Sequence, residues 1–192
     1  MGAIRLGVNE DLTLKLRDAF GIETFIETGT YKGGTALWAS RHFHRVTTIE
    51  AYRPRYDRFT ATALPPNVEA IFGDSRLKLA DVLAPLQVPA LLWLDAHWCG
   101  EGAHNANGDE CPLREELAAI LAHEAAASVQ HVIMIDDARL FTAPPPYPHD
   151  PAQWMTVRDI MAMVPARGWS IFEDVIYILP SALIVEGIGG LR

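Results

Sequence analysis

Phe25-Ile26-Glu27-Thr28-Gly29-Thr30-Tyr31-Lys32-Gly33-Gly34-Thr35 is a short apolar run that ends in an acid, turns at a glycine and opens a helix. Glycine at position 29 admits a sharp turn and lets another group approach the backbone closely. Further on, Arg45-Val46-Thr47-Thr48-Ile49-Glu50 reads as a second strand, again ending in an acid. Between the two lies a helix predicted from Gly34 to about His44.

The same rhythm continues along the chain. Asn9 is placed to cap a first helix through Phe20, with Glu10 and Asp11 at its positive end. Thr24–Glu27 and Val46–Glu50 are the first two strands, and a helix follows from about Pro54. Val68–Phe72 is a third strand, closed by Gly73-Asp74-Ser75, with a helix over Arg76–Leu83. Ala90–Asp95 and His131–Asp137 are apolar strands that end in acids, and Pro112 sits as the first residue of the helix between them. A helix is expected from about Pro151 to Val164. Ile176–Leu179 and Ala182–Val185 read as closing strands around Pro180-Ser181. Alternating strands and helices, with strands apolar on both faces, specify an α/β fold with one doubly wound, mostly parallel sheet and helices on both faces. The whole chain, residues 1–192, reads as a single domain.

Strand, glycine turn, helix, strand and acid form the pattern by which a Rossmann-like sheet holds an adenosine ligand, with Glu50 placed to accept both ribose hydroxyls. The spacing departs from the dinucleotide fingerprint, because Tyr31 stands where its second glycine would be. Acid-x-Gly-x-x-x-Gly instead resembles motif I of the class I S-adenosylmethionine (SAM) methyltransferases. The resemblance runs from about Thr24 to Val185 and implies SAM as cofactor and a C-terminal antiparallel hairpin. It places Glu27 near the methionine end of SAM, Gly29 and Gly33 in the turn, Glu50 at the ribose, and Asp74 or Ser75 near the adenine. An acid at position 27 suits a ligand that carries an ammonium and a sulfonium, and suits a pyrophosphate poorly. Taken singly, an acid such as Asp74 or Glu50 is equally a turn former or helix cap.

Asp95, Asp136 and Asp137 carry the second signal. They close the fourth and fifth strands, and three converging carboxylates repel one another unless a hard divalent cation intervenes. The arrangement is similar to the metal-dependent O-methyltransferases of the catechol and macrolide type. That similarity implies Mg²⁺ held by Asp95, Asp136 and Asp137, with acceptor oxygens bound to the metal. The other reading has Asp137 capping a short helix and Asp136 binding backbone amides. Trp98 stands where the catechol-type enzymes have their lysine base, so His97 is the candidate base and Asp95 its catalytic neighbour. A hydrogen-bonded histidine with no part in catalysis is the alternative. Leu94-Asp95-Ala96-His97-Trp98 with Asp109-Glu110-Cys111-Pro112-Leu113-Arg114-Glu115-Glu116-Leu117 also resembles a subgroup of methyltransferase-like proteins with Cys/Thr-Pro-Leu/Ile-x-x-Glu-Leu downstream, and that resemblance implies no particular substrate. His97, Cys99, His104 and Cys111 would permit a zinc site, though no standard spacing is present. A Cys99–Cys111 disulfide is disfavoured in a reducing compartment.

The balance of the composition excludes other classes. Net charge is −8 and basic residues are dispersed, so no nucleic-acid groove is expected. Arg53, Arg55 and Arg58, the densest basic group, read as a solvated helix face, with contact to an anionic substrate as the alternative. Two cysteines and no signal-like apolar segment point to the cytoplasm, and no apolar run is long enough for a membrane span. Trp98, Phe141, Tyr147 and Trp154 flank the site in long loops and would line an acceptor pocket or lid. His42, His44, His123 and His131 read as surface or strand-edge residues. The expected function is methyl transfer from SAM to a small-molecule acceptor, on oxygen and with Mg²⁺, leaving a homo-oligomer open. A non-catalytic SAM-binding module and a metal-dependent hydrolase built on the Asp cluster are the rival readings.

Overall fold

Asn9 begins the first helix as expected, its side chain accepting from the Leu12 N–H, and Gly21 ends it in a left-handed conformation. In the computed structural model, which describes residues 6–98 and 108–181, this helix, α1, spans Glu10–Phe20. Strands and helices then alternate: β1 (Thr24–Thr28), α2 (Gly34–Ala39), β2 (Arg45–Glu50), α3 (Arg53–Thr60), β3 (Val68–Phe72), α4 (Ser75–Leu83) and β4 (Leu91–Leu94). After them come α5 (Leu113–Ala127), β5 (Val132–Ile135), α6 (Arg139–Thr142), α7 (Val157–Met163), β6 (Gly168–Phe172) and β7 (Val175–Leu179). The seven strands form one sheet in the order β3-β2-β1-β4-β5-β7-β6, parallel except where β7 pairs with β5 and β6.

Alternation along the strands divides the core. Ile26, Ile49, Leu92, Leu94, Ile133 and Ile135 face α4, α5 and α7 through Leu79, Leu83, Leu117 and Ile160. Phe25, Val46, Leu91, Trp93 and Met134 face α1, α2 and α3 through Leu16, Trp38 and Phe59. Each fully buried Leu or Ile contributes about 1.5–3 kcal/mol, and burial on both faces is why these strands carry so few polar residues.

Three elements differ from expectation. The helix behind the first turn stops at Ala39, because the chain tightens (His42 N–H to Ala39 O, 2.9 Å) and tucks Phe43 against Phe25. The helix expected over 151–164 is broken. Asp150 caps a single 3₁₀ turn, Pro151–Gln153, Trp154 is extended, and Thr156 with Asp159 forms a capping box that starts α7 afresh. The closing hairpin turns at Glu173-Asp174, both left-handed (φ 47° and 65°), and not at Pro180-Ser181. Asn9 Nδ2 holds Glu173 at 2.7 Å, and the Arg139 N–H holds Asp174 at 2.9 Å. The predicted strand Ala182–Val185 lies outside the described residues.

Arg167 ties the hairpin to α5. Its guanidinium meets Glu124 at 2.8 and 3.0 Å, with both side chains buried, and also bonds the backbone carbonyls of His131 and Leu179. His131 is not at the surface but fully buried. Its Nδ1 accepts from the Ala90 N–H (2.9 Å), so Nε2 carries the proton and donates to His123, whose other nitrogen meets the Leu86 carbonyl. Burial and the neighbouring charges of His123 and Arg167 push His131 down to about 4.

Candidate active site

Strand register sets the site. Thr28 aligns with Ile49 on one side and Leu94 on the other, Ile49 aligns with Ile71, and Leu94 with Ile135. Pairing runs one residue further, through Gly29 N–H to Ile49 O (2.9 Å), Asp95 N–H to Thr28 O (3.0 Å) and Asp136 N–H to Leu94 O (3.2 Å). The chain therefore leaves these strands at one level, and the polar residues there surround a cleft of about 540 Å³. Such a crevice at the carboxyl edge is where open α/β sheets bind ligands. The cleft collects Glu27, Gly29, Glu50, Asp74 and Ser75, and also Asp95, His97, Asp136 and Asp137. Gly33 does not line it. Its φ of +76° and the Phe59 ring, 2.1 Å from where a Cβ would stand, explain that glycine instead.

Gly29 has φ +85°, and a Cβ there would lie 2.2 Å from the Asp95 carbonyl oxygen. The neighbouring strand alone therefore demands glycine, and the turn passes directly over the end of β4. Glu50 is buried and accepts the N–H groups of Tyr31 (2.9 Å) and Tyr52 (2.8 Å), which fixes its carboxylate at the cleft wall. Asp74 caps α4 by accepting from the Arg76 N–H and pairs with the Arg76 guanidinium, which also reaches Asp109. The capping reading of Asp74 thus holds alongside its place in the cleft. Arg53 and Arg58 are exposed as expected, whereas Arg55 lies over the Tyr31 ring (4.7 Å) and faces the cleft.

Electrostatics concentrate at the acids. Glu27 is buried and accepts from Thr48 Oγ1 at 2.6 Å; burial pushes its carboxyl up to about 8. Burial and the mutual repulsion of Asp95, Asp136 and Asp137 raise Asp95 well above the usual range, and burial with the Asp137 charge raises Asp136. Asp137 behaves oppositely. Burial would raise it, but His97 Nε2 at 3.0 Å and Arg139 at 2.6 Å engage its two oxygens and bring it below the usual value. His97 Nε2 also lies 3.9 Å from Asp95. With Asp137 ionised, the proton in that contact sits on Nε2. Among the described residues no group of three His, Cys, Asp or Glu has the spacing of a metal site. The charge of Asp95 and Asp136 fits a hard cation, while Asp137 is already neutralised from within.

The expected aromatic lid is not one surface. Trp98 lines the cleft, Phe141 and Trp154 are buried behind His97, and Tyr147 is 96% exposed. Cys111 is buried, and burial pushes its thiol up to about 12, against a zinc thiolate. Cys99 and His104, the other members of the zinc and disulfide readings, lie outside the described residues. Sequence reasoning missed Arg139, whose guanidinium joins Asp137 to Asp174. Glu116, which the subgroup pattern after β4 contains but to which no role was given, is a fully buried acid of α5 whose carboxyl burial raises.

No protein-family model and no curated protein sequence matches the chain. Solved structures do. A Staphylococcus aureus protein assigned as a caffeoyl-CoA O-methyltransferase superposes with a TM-score of 0.62 at 13% identity, over 93% of this chain and 86% of its own. An O-methyltransferase from Bacillus cereus in complex with SAH gives 0.53 at 17% identity, over 88% and 79% of the two chains. TomG from Streptomyces achromogenes, an O-methyltransferase involved in tomaymycin synthesis, solved with SAM, gives 0.50 at 17%, over 87% and 76%. This chain has the class I SAM-dependent methyltransferase fold. The observed cleft lies at the carboxyl ends of β1, β2, β4 and β5, so Glu27 and Gly29 of motif I, Glu50 and the three acids of the Asp cluster share one cavity, with Gly33 outside it. Among the described residues no helix is long and apolar enough to cross a membrane.

Proposed function

We propose that the protein transfers a methyl group from SAM to an oxygen of a small-molecule acceptor. One observation carries this reading: the motif-I turn with Glu27 and Glu50, and the acids Asp95 and Asp136, open into the same cleft. Bound SAM would supply an electrophilic methyl group on a sulfonium. Glu50, already held by two backbone N–H groups, is oriented to accept the ribose hydroxyls. Asp74 and Ser75 would lie near the adenine, a reading supported by their place in the cleft beyond Glu50, at the end of β3. Glu27 and Asp95, neutral while buried without a cation, become favourable carboxylates beside a positively charged ligand.

On the acceptor side Asp95 and His97 handle the proton. His97 donates from Nε2 to Asp137, so Asp95 offers the free lone pairs, and a cation nearby lowers its pKa into the range of a working base. His97 would serve as a base at Nε2 only in its other tautomer, with the ring proton moved to Nδ1. Asp95 and Asp136 would hold Mg²⁺, both oxygens of Asp137 being engaged by His97 and Arg139, and the cation would lower the pKa of the acceptor hydroxyl. The cleft then aligns acceptor oxygen and methyl group, the main source of rate in a reaction with a pre-activated donor.

Calorimetry tests the cofactor. SAM and its demethylated product should bind at one site, and Glu50→Ala should lose on the order of 1–3 kcal/mol. Tight NAD binding without SAM binding would refute the reading. Labelled SAM with phenol, diol and sugar panels tests transfer, and full activity in excess EDTA would remove the metal. SAM binding without turnover on any acceptor would leave a SAM-binding module.

A further inference from the structure

We infer that Glu110, which does not line the cleft, is a positioning residue that aims the His97 imidazole at Asp95 and Asp137. The inference rests on the reading of His97 as part of the acceptor end. Glu110 is buried, and its carboxylate accepts the Trp154 indole N–H at 2.7 Å and the Asp150 N–H at 3.0 and 3.1 Å, and meets His149 Nδ1 at 3.2 Å. Its backbone is committed too. The Glu110 N–H donates to Gln153 Oε1 (2.8 Å), and its carbonyl accepts the Trp98 N–H (2.7 Å). One residue thus fastens the segment after β4 to the segment before α7.

What the clasp holds is an indole placed against the histidine. Trp154 packs edge-on to His97 (centroids 5.4 Å), and Phe141 closes the other side, 6.1 Å from His97 and 5.5 Å from Trp154. A carboxylate fixed by two further partners, the Asp150 N–H and His149 Nδ1, orients the indole N–H as a charge-assisted bond, stronger than a neutral partner would give. That bond also explains why Trp154 leaves the helical path between Gln153 and Thr156. With its ring plane set by two aromatic neighbours, His97 can present Nε2 only toward Asp137 and Asp95. Groups that act in chemistry need such support, since small errors of aim cost rate.

Ring ¹⁵N NMR at one fixed pH tests this, with His97 signals assigned by their loss in His97→Gln. The wild type should show His97 as a single tautomer protonated at Nε2. Glu110→Gln and Trp154→Phe should both lose that pattern and show averaged ring shifts, while SAM affinity stays at the wild-type value. Trp154→Phe removes the indole N–H together with part of the ring, whereas Glu110→Gln leaves the ring intact; Trp154→Phe carries the test if Glu110→Gln fails to fold. His97 signals that superimpose on the wild type in a folded variant would overturn the inference. Absence of SAM binding in the wild type would overturn the functional reading instead, and the tautomer pattern would still report on the clasp.

Discussion

Glu27 carries a buried carboxyl at the cleft wall, with no cationic side chain among the groups that set its charge. Thr48 and Thr35 offer hydroxyls that favour ionisation, and burial outweighs them, giving a value of about 8. At neutral pH the free protein therefore holds a proton that a cationic ligand must expel. SAM affinity should rise between about pH 6 and pH 9, and binding should release a proton, visible as a buffer-dependent heat. Glu27→Gln should flatten the pH dependence. A wild-type affinity that is constant over that range would show that Glu27 does not face the charged end of the ligand. Asp137 behaves oppositely, since its bonds to His97 and Arg139 bring its carboxyl below the usual value.

At the scale of elements, the glycine turn separates two kinds of constraint. Gly29→Ala places a Cβ against the Asp95 carbonyl at a positive φ, so β1 and β4 must part; a cost on the order of 2–5 kcal/mol is expected from strain and overpacking together. Gly34→Ala meets no neighbour at the start of α2 and should stabilise by about 0.4–1 kcal/mol. Thermal melting of the two variants checks both signs, and an equally tolerated Gly29→Ala would contradict the described turn. Such turns were legible because Gly29 and the apolar runs Phe25–Ile26, Leu91–Leu94 and Val132–Ile135 are local signals. The hairpin turn was not legible. Glu173-Asp174 lacks the glycine that usually marks left-handed positions, and distant partners, Asn9 and Arg139, hold it there. The break before α7 was hidden likewise, because Trp154 leaves the helix for a bond to Glu110, far away in sequence. In the site, Glu27, Glu50, Asp95, Asp136 and Asp137 were readable as strand-end acids. Glu116 stood in the pattern read after β4 but its burial did not show, and Arg139 and Glu110 act through contacts across elements that no spacing encodes.

For the molecule as a whole, buried titrating groups set the pH of greatest stability. Glu27, Asp95, Asp136 and Glu116 are all raised, first by burial, so the folded state keeps protons that the unfolded chain has released. The stability they support is full below the unfolded carboxyl range and is lost as pH rises toward about 8, the value for Glu27. His131, lowered to about 4, works in the other direction. Its share is complete above the ordinary histidine value of 6.5 and is lost as pH falls toward 4. Above pH 6.5 the acids therefore act unopposed by His131. The melting temperature should fall from about pH 6.5 to 8.5, and SAM or a divalent cation should shrink that fall. A melting temperature that rises across this range would show that these acids are solvated in the folded protein.

The strand order has a consequence for how the chain is made. β7, the last described strand, does not add to the edge of the sheet; it inserts between β5 and β6. During synthesis β5 emerges with its outer edge unpaired and waits until Val175–Leu179 appears. β6 emerges before β7 and has no strand to pair with until then. The half of the sheet built from β1, β2, β3 and β4 can close early, whereas the half that carries Asp136 and Asp137 is completed only once β7 has been made. A ribosome that stalls between Ile135 and Val175 would leave an apolar edge open, and that nascent chain is the form most exposed to chaperones and to aggregation.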